Sequence, residues 1–88
     1  MNESPSLLQF PCEFPIKVFA AADSDLLAPA RAIVERHAGT LCDDRISSRE
    51  SKGARYVAIT FTITATSQEQ IDSIYRELTA HTDVVMAL

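Results

Sequence analysis

Glycine is scarce in this chain: Gly39 and Gly53 are the only two among 88 residues. A phosphate cradle or a dinucleotide fingerprint needs closely spaced glycines, so neither can be built here. Cysteine is as sparse. Cys12 and Cys42 are too few for a disulfide framework and are expected as reduced thiols. No apolar run approaches the roughly 20 residues that cross a bilayer. The opening Met1-Asn2-Glu3-Ser4-Pro5-Ser6 carries neither a basic segment nor a long apolar core. No signal peptide is therefore expected, and cytoplasm is the expected location. Positive charge is also short, with eight basic against twelve acidic side chains and a formal net charge of −4. That balance lacks the general attraction to phosphate on which most nucleic-acid binders rely.

What is present is regular patterning. Between Arg55 and Ala65 the chain alternates strictly. Val57, Ile59, Phe61, Ile63 and Ala65 fall on one side, with Tyr56, Ala58, Thr60, Thr62 and Thr64 on the other. A period of two over such a length predicts a long β-strand with one greasy face and one milder face. Thr66-Ser67-Gln68-Glu69 follows at once and predicts a helix N-cap with a capping-box glutamate. Ile71, Ile74, Tyr75 and Leu78 then form a helical stripe, with His81 closing the helix.

The earlier half reads similarly. Residues 1–11, interrupted by Pro5 and Pro11, are expected to be a flexible N-terminal arm, with Leu7, Leu8 and Phe10 pinning its last part. Phe14, Ile16, Val18 and Ala20 alternate with Pro15, Lys17 and Phe19 in a first strand. Ser24 and Asp25 are candidate caps for a helix whose apolar stripe is Leu26, Leu27, Ala30, Ile33, Val34 and His37. Pro29 fits in its first turn, and Gly39 supplies a left-handed stop. Leu41 to Ser48 predicts a more polar edge strand, and Ser51-Lys52-Gly53 the turn into the long strand. Val84 to Leu88 gives a last short strand.

The order β-α-β-β-α-β, with right-handed crossovers, predicts an α+β ferredoxin-like sandwich over residues 12–88. Its four-stranded antiparallel sheet has the order 4-1-3-2, with both helices on one face. The first and third strands should be central, and they carry the cleanest alternation.

At this point the residues match a family. Leu8-Gln9-Phe10-Pro11-Cys12-Glu13-Phe14-Pro15-Ile16-Lys17-Val18 resembles the opening of the small bacterial YbeD-like proteins. Ser51-Lys52-Gly53 with Tyr56 and Val57 resembles the same family, as do Gln68 to Ile71 and Tyr75-Arg76-Glu77-Leu78. Val85-Met86-Ala87-Leu88 is similar to its Val-x-Met-Val-Leu ending. The resemblance implies an ACT-like version of the ferredoxin-like fold. Some members carry a lipoate-regulatory name.

No Ser-His-Asp, Cys-His or His-Glu-x-x-His arrangement can be assembled, and one sheet with two helices leaves little loop for a catalytic cleft. The expectation is no enzyme, no catalytic residue and no cofactor. Cys12, Cys42 and His37, with Asp43 and Asp44, fall at one end of the expected sheet. The two thiols, however, sit about 10 Å apart across an intervening strand and fall short of a closed zinc set, so no metal is expected.

Lys52-Gly53-Ala54-Arg55-Tyr56-Val57-Ala58-Ile59 echoes the strand-three signature of RNA-recognition motifs. Ala54, Ile59 and Lys17 nevertheless stand where stacking rings belong. RNA binding remains a remote alternative, nucleic acid an unexpected partner, and a membrane partner is not expected.

The expected working surface is the open sheet face: Phe19, Tyr56, Ala58, Thr60 and Thr62, flanked by Lys17 and Thr64, plus one face of Val84 to Leu88. It predicts a regulatory or adaptor module that self-associates as a homodimer or binds a protein. The alternative is an ACT-like sensor of a small anionic metabolite, connected with lipoate, held by the hairpin cations Arg49, Lys52 and Arg55 near Arg45. The loop Ala21-Ala22-Asp23-Ser24-Asp25 lacks the glycine-bearing pattern with which ACT domains approach amino acids.

Overall fold

Strand β3 (Tyr56–Ala65) lies in the middle of a four-stranded antiparallel sheet, between β1 (Cys12–Ala21) and β2 (Ile46–Glu50). On the far side of β1 is β4 (Val84–Ala87), giving the order β2-β3-β1-β4. Two helices, α1 (Leu27–Ala38) and α2 (Gln68–Ala80), pack on one face. The computed structural model describes residues 9–50, 53 and 55–88. This is the ferredoxin-like α+β arrangement, and the expected order 4-1-3-2 is the same order read from the other edge. Most of the expected N-terminal arm, residues 1–8, and Ser51 and Lys52 of the expected turn lie outside the described residues.

Alternation dictates the layering. Ile16, Val18 and Ala20 of β1 and Ile59, Phe61, Ile63 and Ala65 of β3 point inward and are buried. Leu26, Ala30, Ile33 and Val34 cover them from α1, as do Ile71, Ile74 and Leu78 from α2. Phe61 stands opposite Ile16 on one side and Ile46 on the other. Burying side chains of this size stabilises the fold by about 1.5–3 kcal/mol each, which is what holds a domain this small together.

Pro15 is tolerated inside β1 for a positional reason. Lys17 exchanges both backbone hydrogen bonds with Leu88, at 3.0 and 2.8 Å, so the backbone of residue 17 addresses β4. Residue 15, two along, turns its nitrogen to the same side, beyond the stretch where β4 pairs with β1. No ladder bond is lost there.

Four local expectations are corrected. Ser24 and Asp25 do not cap α1: the N-cap is Leu26 with no side-chain cap, and Ser24 instead donates its backbone N–H to Ala21 in a turn. Leu27, expected in the buried stripe of α1, is 44% exposed and lines a shallow depression beside Ile46 and Ser47 of the edge strand. The cap of α2 lies one residue on from Thr66. Ser67 Oγ accepts from the Gln70 N–H at 3.1 Å, and Gln70 Oε1 accepts from the Thr66 N–H at 2.7 Å, so Gln70 takes the part expected of Glu69.

The polar second strand begins at Ile46 rather than Leu41. A 3-10 turn at Asp43–Arg45 comes first. Leu41 has its backbone satisfied by helix side chains: its N–H donates to Glu35 Oε2 at 2.7 Å and its carbonyl accepts from Arg31 Nη2 at 2.7 Å. Arg31 also reaches Glu35 and Asp43, each at 3.2 Å. With its polar backbone groups occupied and its side chain buried, Leu41 anchors the crossover and does not extend the sheet.

The two remaining helix-end features behave as expected. Gly39 stops α1 at φ +84°, and His81 ends α2 with its N–H bonded to the Leu78 carbonyl.

Two outcomes test these assignments. Phe61→Ala lowers unfolding free energy by about 3–5 kcal/mol, whereas Thr62→Ala on the opposite face changes it by less than about 0.5 kcal/mol, read by urea denaturation. Glu35 is held below its ordinary carboxylate range, first by the Leu41 N–H and then by Arg31. A carboxylate depressed in the folded state contributes stability above its unfolded pKa and loses it as pH falls through the folded value. The stability difference between wild type and Glu35→Gln is therefore largest near neutrality. It shrinks as pH is taken from about 6 to about 3, followed by thermal melts.

Candidate partner-binding face

The side of the sheet away from the helices is built from the other half of the same alternation. Antiparallel register lays its side chains in rows across the strands. One row runs Arg49, Ala58, Phe19, Met86; the next runs Ser47, Thr60, Lys17. Tyr56 stands opposite Ala21 at one end, and Thr62 opposite Pro15 toward the other. The sequence-predicted face residues Phe19, Tyr56, Ala58, Thr60 and Thr62 therefore do share one surface.

Strand β4 adds one face, as expected, and a bulge decides which of its residues lie there. Phe19 pairs with Met86 but Ala20 pairs with Val84, so the register slips and Val85 is the extra residue of a bulge. A bulge breaks strict alternation and turns neighbouring side chains the same way. Val85 and Met86 are both exposed, at 58% and 50%, and with Phe19 and Tyr56 they line an apolar depression of about 400 Å³. Leu88, hydrogen-bonded to Lys17 along β1, is 59% exposed. An all-apolar run such as Val84-Val85-Met86-Ala87 carries no periodic signal, which is why one face of this strand was expected on the surface without its residues being told apart.

Of the cations expected at the hairpin, three fall within the described residues. Arg45 Nη1 donates to Glu13 Oε2 at 2.6 Å, tying the turn before β2 to the start of β1. Arg49 lies over the sheet, where it shares a shallow concavity of about 380 Å³ with Lys17, Phe19, Ser47, Ala58 and Thr60. Arg55 is exposed in the bend before β3, and its carbonyl accepts from the Ala22 N–H at 3.0 Å. Lys52 lies outside the described residues.

His37, weighed earlier as a metal ligand, faces the other helix. Its Nε2 lies 2.6 Å from Glu77 Oε2, and its carbonyl accepts from Gln70 Nε2 at 2.9 Å. Arg36 reaches the second oxygen of Glu77 at 3.5 Å. This group clamps α1 to α2 on the covered side of the molecule. Cys12 is half-buried at the start of β1 and Cys42 exposed ahead of the 3-10 turn. Among the described residues no three His, Cys, Asp or Glu side chains gather as a metal site, and no helix is long and apolar enough to cross a membrane.

Comparison with known proteins covers the whole arrangement. The solution structure of protein HP0495 from H. pylori superposes with a TM-score of 0.72 over 98% of this chain and 89% of that one; at 14% identity the likeness is one of fold. In sequence, a UPF0250 protein of Chromobacterium violaceum is 39% identical over 87 residues, spanning 99% of this chain and 98% of its own. A UPF0250 protein of Paraburkholderia phytofirmans is 38% identical over 88 residues, spanning 100% and 97%. The profile described as a protein of unknown function, DUF493, matches residues 5–88. By profile and by full-length relatives, the chain belongs to the DUF493 family, in keeping with its resemblance to the small bacterial YbeD-like proteins.

Proposed function

We propose that this protein is a non-enzymatic regulatory or adaptor module that works by association through its open sheet face, with a second copy of itself as the simplest partner. One observation carries the reading. Of the five large hydrophobic side chains that stay exposed among the described residues, Tyr56, Val85, Met86 and Leu88 belong to the open face and its β4 edge. Clustered exposed apolar surface of this kind marks interaction sites, and aromatic and Met side chains are favoured in interface cores.

Two further features support the reading. The groups with displaced pKa values lie elsewhere and have structural causes. Arg31 and Glu35 hold each other across one helical turn, Arg45 is raised by its bond to Glu13, and burial pushes up the Tyr75 hydroxyl. In addition, β4 is an edge strand of Val, Val, Met and Ala, with none of the charges or prolines that blunt edges. A two-fold axis perpendicular to the sheet at that edge would join two sheets through antiparallel β4 strands and bring Val85 and Met86 of both copies side by side.

The test is hydrodynamic. Wild type should sediment as a dimer at micromolar concentration. Tyr56→Ser combined with Met86→Glu should raise the dimer dissociation constant by about 30-fold or more, the effect of losing about 2 kcal/mol at an interface centre. The far-ultraviolet circular dichroism of the variant should match wild type, since both side chains are outside the core. A monomeric wild type, or a variant that remains dimeric, would overturn the reading.

A further inference from the structure

The concavity on the β2 half of the face differs in chemistry from the apolar half, and its shape follows from side-chain length. Ala58, Thr60 and Ser47 are short and occupy adjacent positions on β3 and β2. Lys17 and Phe19 rise beside them from β1, and Arg49 from β2, so a low floor is walled on both sides. Its volume of about 380 Å³ falls within the range typical of small-molecule sites.

The two cations on the rim are what give it a ligand preference. Arg31, Arg36 and Arg45 each hold a carboxylate, whereas Lys17 and Arg49 form no ion pair among the described residues. In a chain of net charge −4 they leave a local positive field over a floor that also offers two hydroxyl groups. Cations left without internal partners around a concavity favour an anion there. The guanidinium supplies a planar fork for an acid group and the ammonium a compact second charge. Beyond them, Phe19 and Ala58 offer apolar surface in the same depression.

We propose that the concavity framed by Lys17, Arg49, Phe19 and Thr60 binds a small organic anion. Its carboxylate or phosphate head lies between Lys17 and Arg49, and a compact apolar body rests against Phe19 and Ala58. The site does not rest on the association reading, although Phe19 borders both halves of the face.

The experiment is an amide NMR titration of the full chain with phenylacetate and with phenyl phosphate. Acetate and inorganic phosphate serve as head-only probes, and benzyl alcohol as the body-only probe. The phenyl anions should produce saturable shifts at residues 17, 19, 47, 49, 58 and 60, with a Kd of about 1 mM or tighter. The head-only and body-only probes should bind at least about tenfold more weakly. Tighter phenyl phosphate binding identifies a phosphate ligand, and tighter phenylacetate binding a carboxylate; either supports the site. Lys17→Ala and Arg49→Ala should each weaken binding by about tenfold while leaving distant amides in place.

The titration is repeated on the Tyr56→Ser, Met86→Glu variant, so that a face covered by a second copy is told apart from a face with no site. Saturation in either background supports the proposal. Absence of saturable shifts in both, or shifts unmoved by Lys17→Ala and Arg49→Ala, overturns it.

Discussion

Two central strands that are buried on one side only set the terms for everything else. Ile16, Val18 and Ala20 beside Ile59, Phe61 and Ile63 make an inner face that water must not reach. Among the described residues two helices cover it, and both crossovers bring them to the same side. The opposite face is then left to whatever the alternate positions happen to carry. Its composition is free of the packing demand that fixes the inner side, so Phe, Tyr, Met and Val there need a different explanation. In this small domain the covered face accounts for the fold, and the uncovered face carries the surface to which we assign the proposed association.

Legibility tracks how local the deciding interaction is. The strand at 56–65 and the stripe Ile71, Ile74, Tyr75, Leu78 could be read directly, because each pattern repeats within one element. The start of the second strand could not. Leu41 is withdrawn from the sheet by Glu35 and Arg31, bonds that reach back into a helix and that no propensity describes. The first helix likewise enters through a backbone turn at Ala21–Ser24, so the polar residues before it resembled caps without serving as caps. On the face itself, the aromatic and threonine positions followed from parity. Val85 was hidden by a bulge, and Arg49 joined Lys17 only because β2 runs on to Glu50 and its register sets Arg49 opposite Ala58, whereas the expected strand ended at Ser48.

The two edges of the sheet differ in a way that bears on orientation. Strand β2 carries Arg49 and Glu50 and follows Arg45, which is tied to Glu13; charges of this kind discourage another strand from adding there. Strand β4 has no charged residue within it. Of the two edges, β4 is therefore the one at which a neighbouring chain meets no desolvation cost for ions, and it adjoins the apolar half of the face. Growth of the sheet at β4 would leave the β2 half, with Lys17 and Arg49 at its rim, accessible.

The two sides of the sheet differ in how their charges are matched. The helical layer pairs Glu35 with Arg31 and Glu77 with Arg36 and also carries Glu69, Asp72 and Arg76, while the open face contributes Lys17 and Arg49, with Glu13 already neutralised by Arg45. A uniformly acidic surface would repel any anion from every side. Here an approaching anion meets an attractive field at Lys17 and Arg49, whereas an isologous contact centred on these two residues would press like charges together. The physical distinction between the halves follows: the apolar half suits a second copy, and the cationic half suits something that is not a copy.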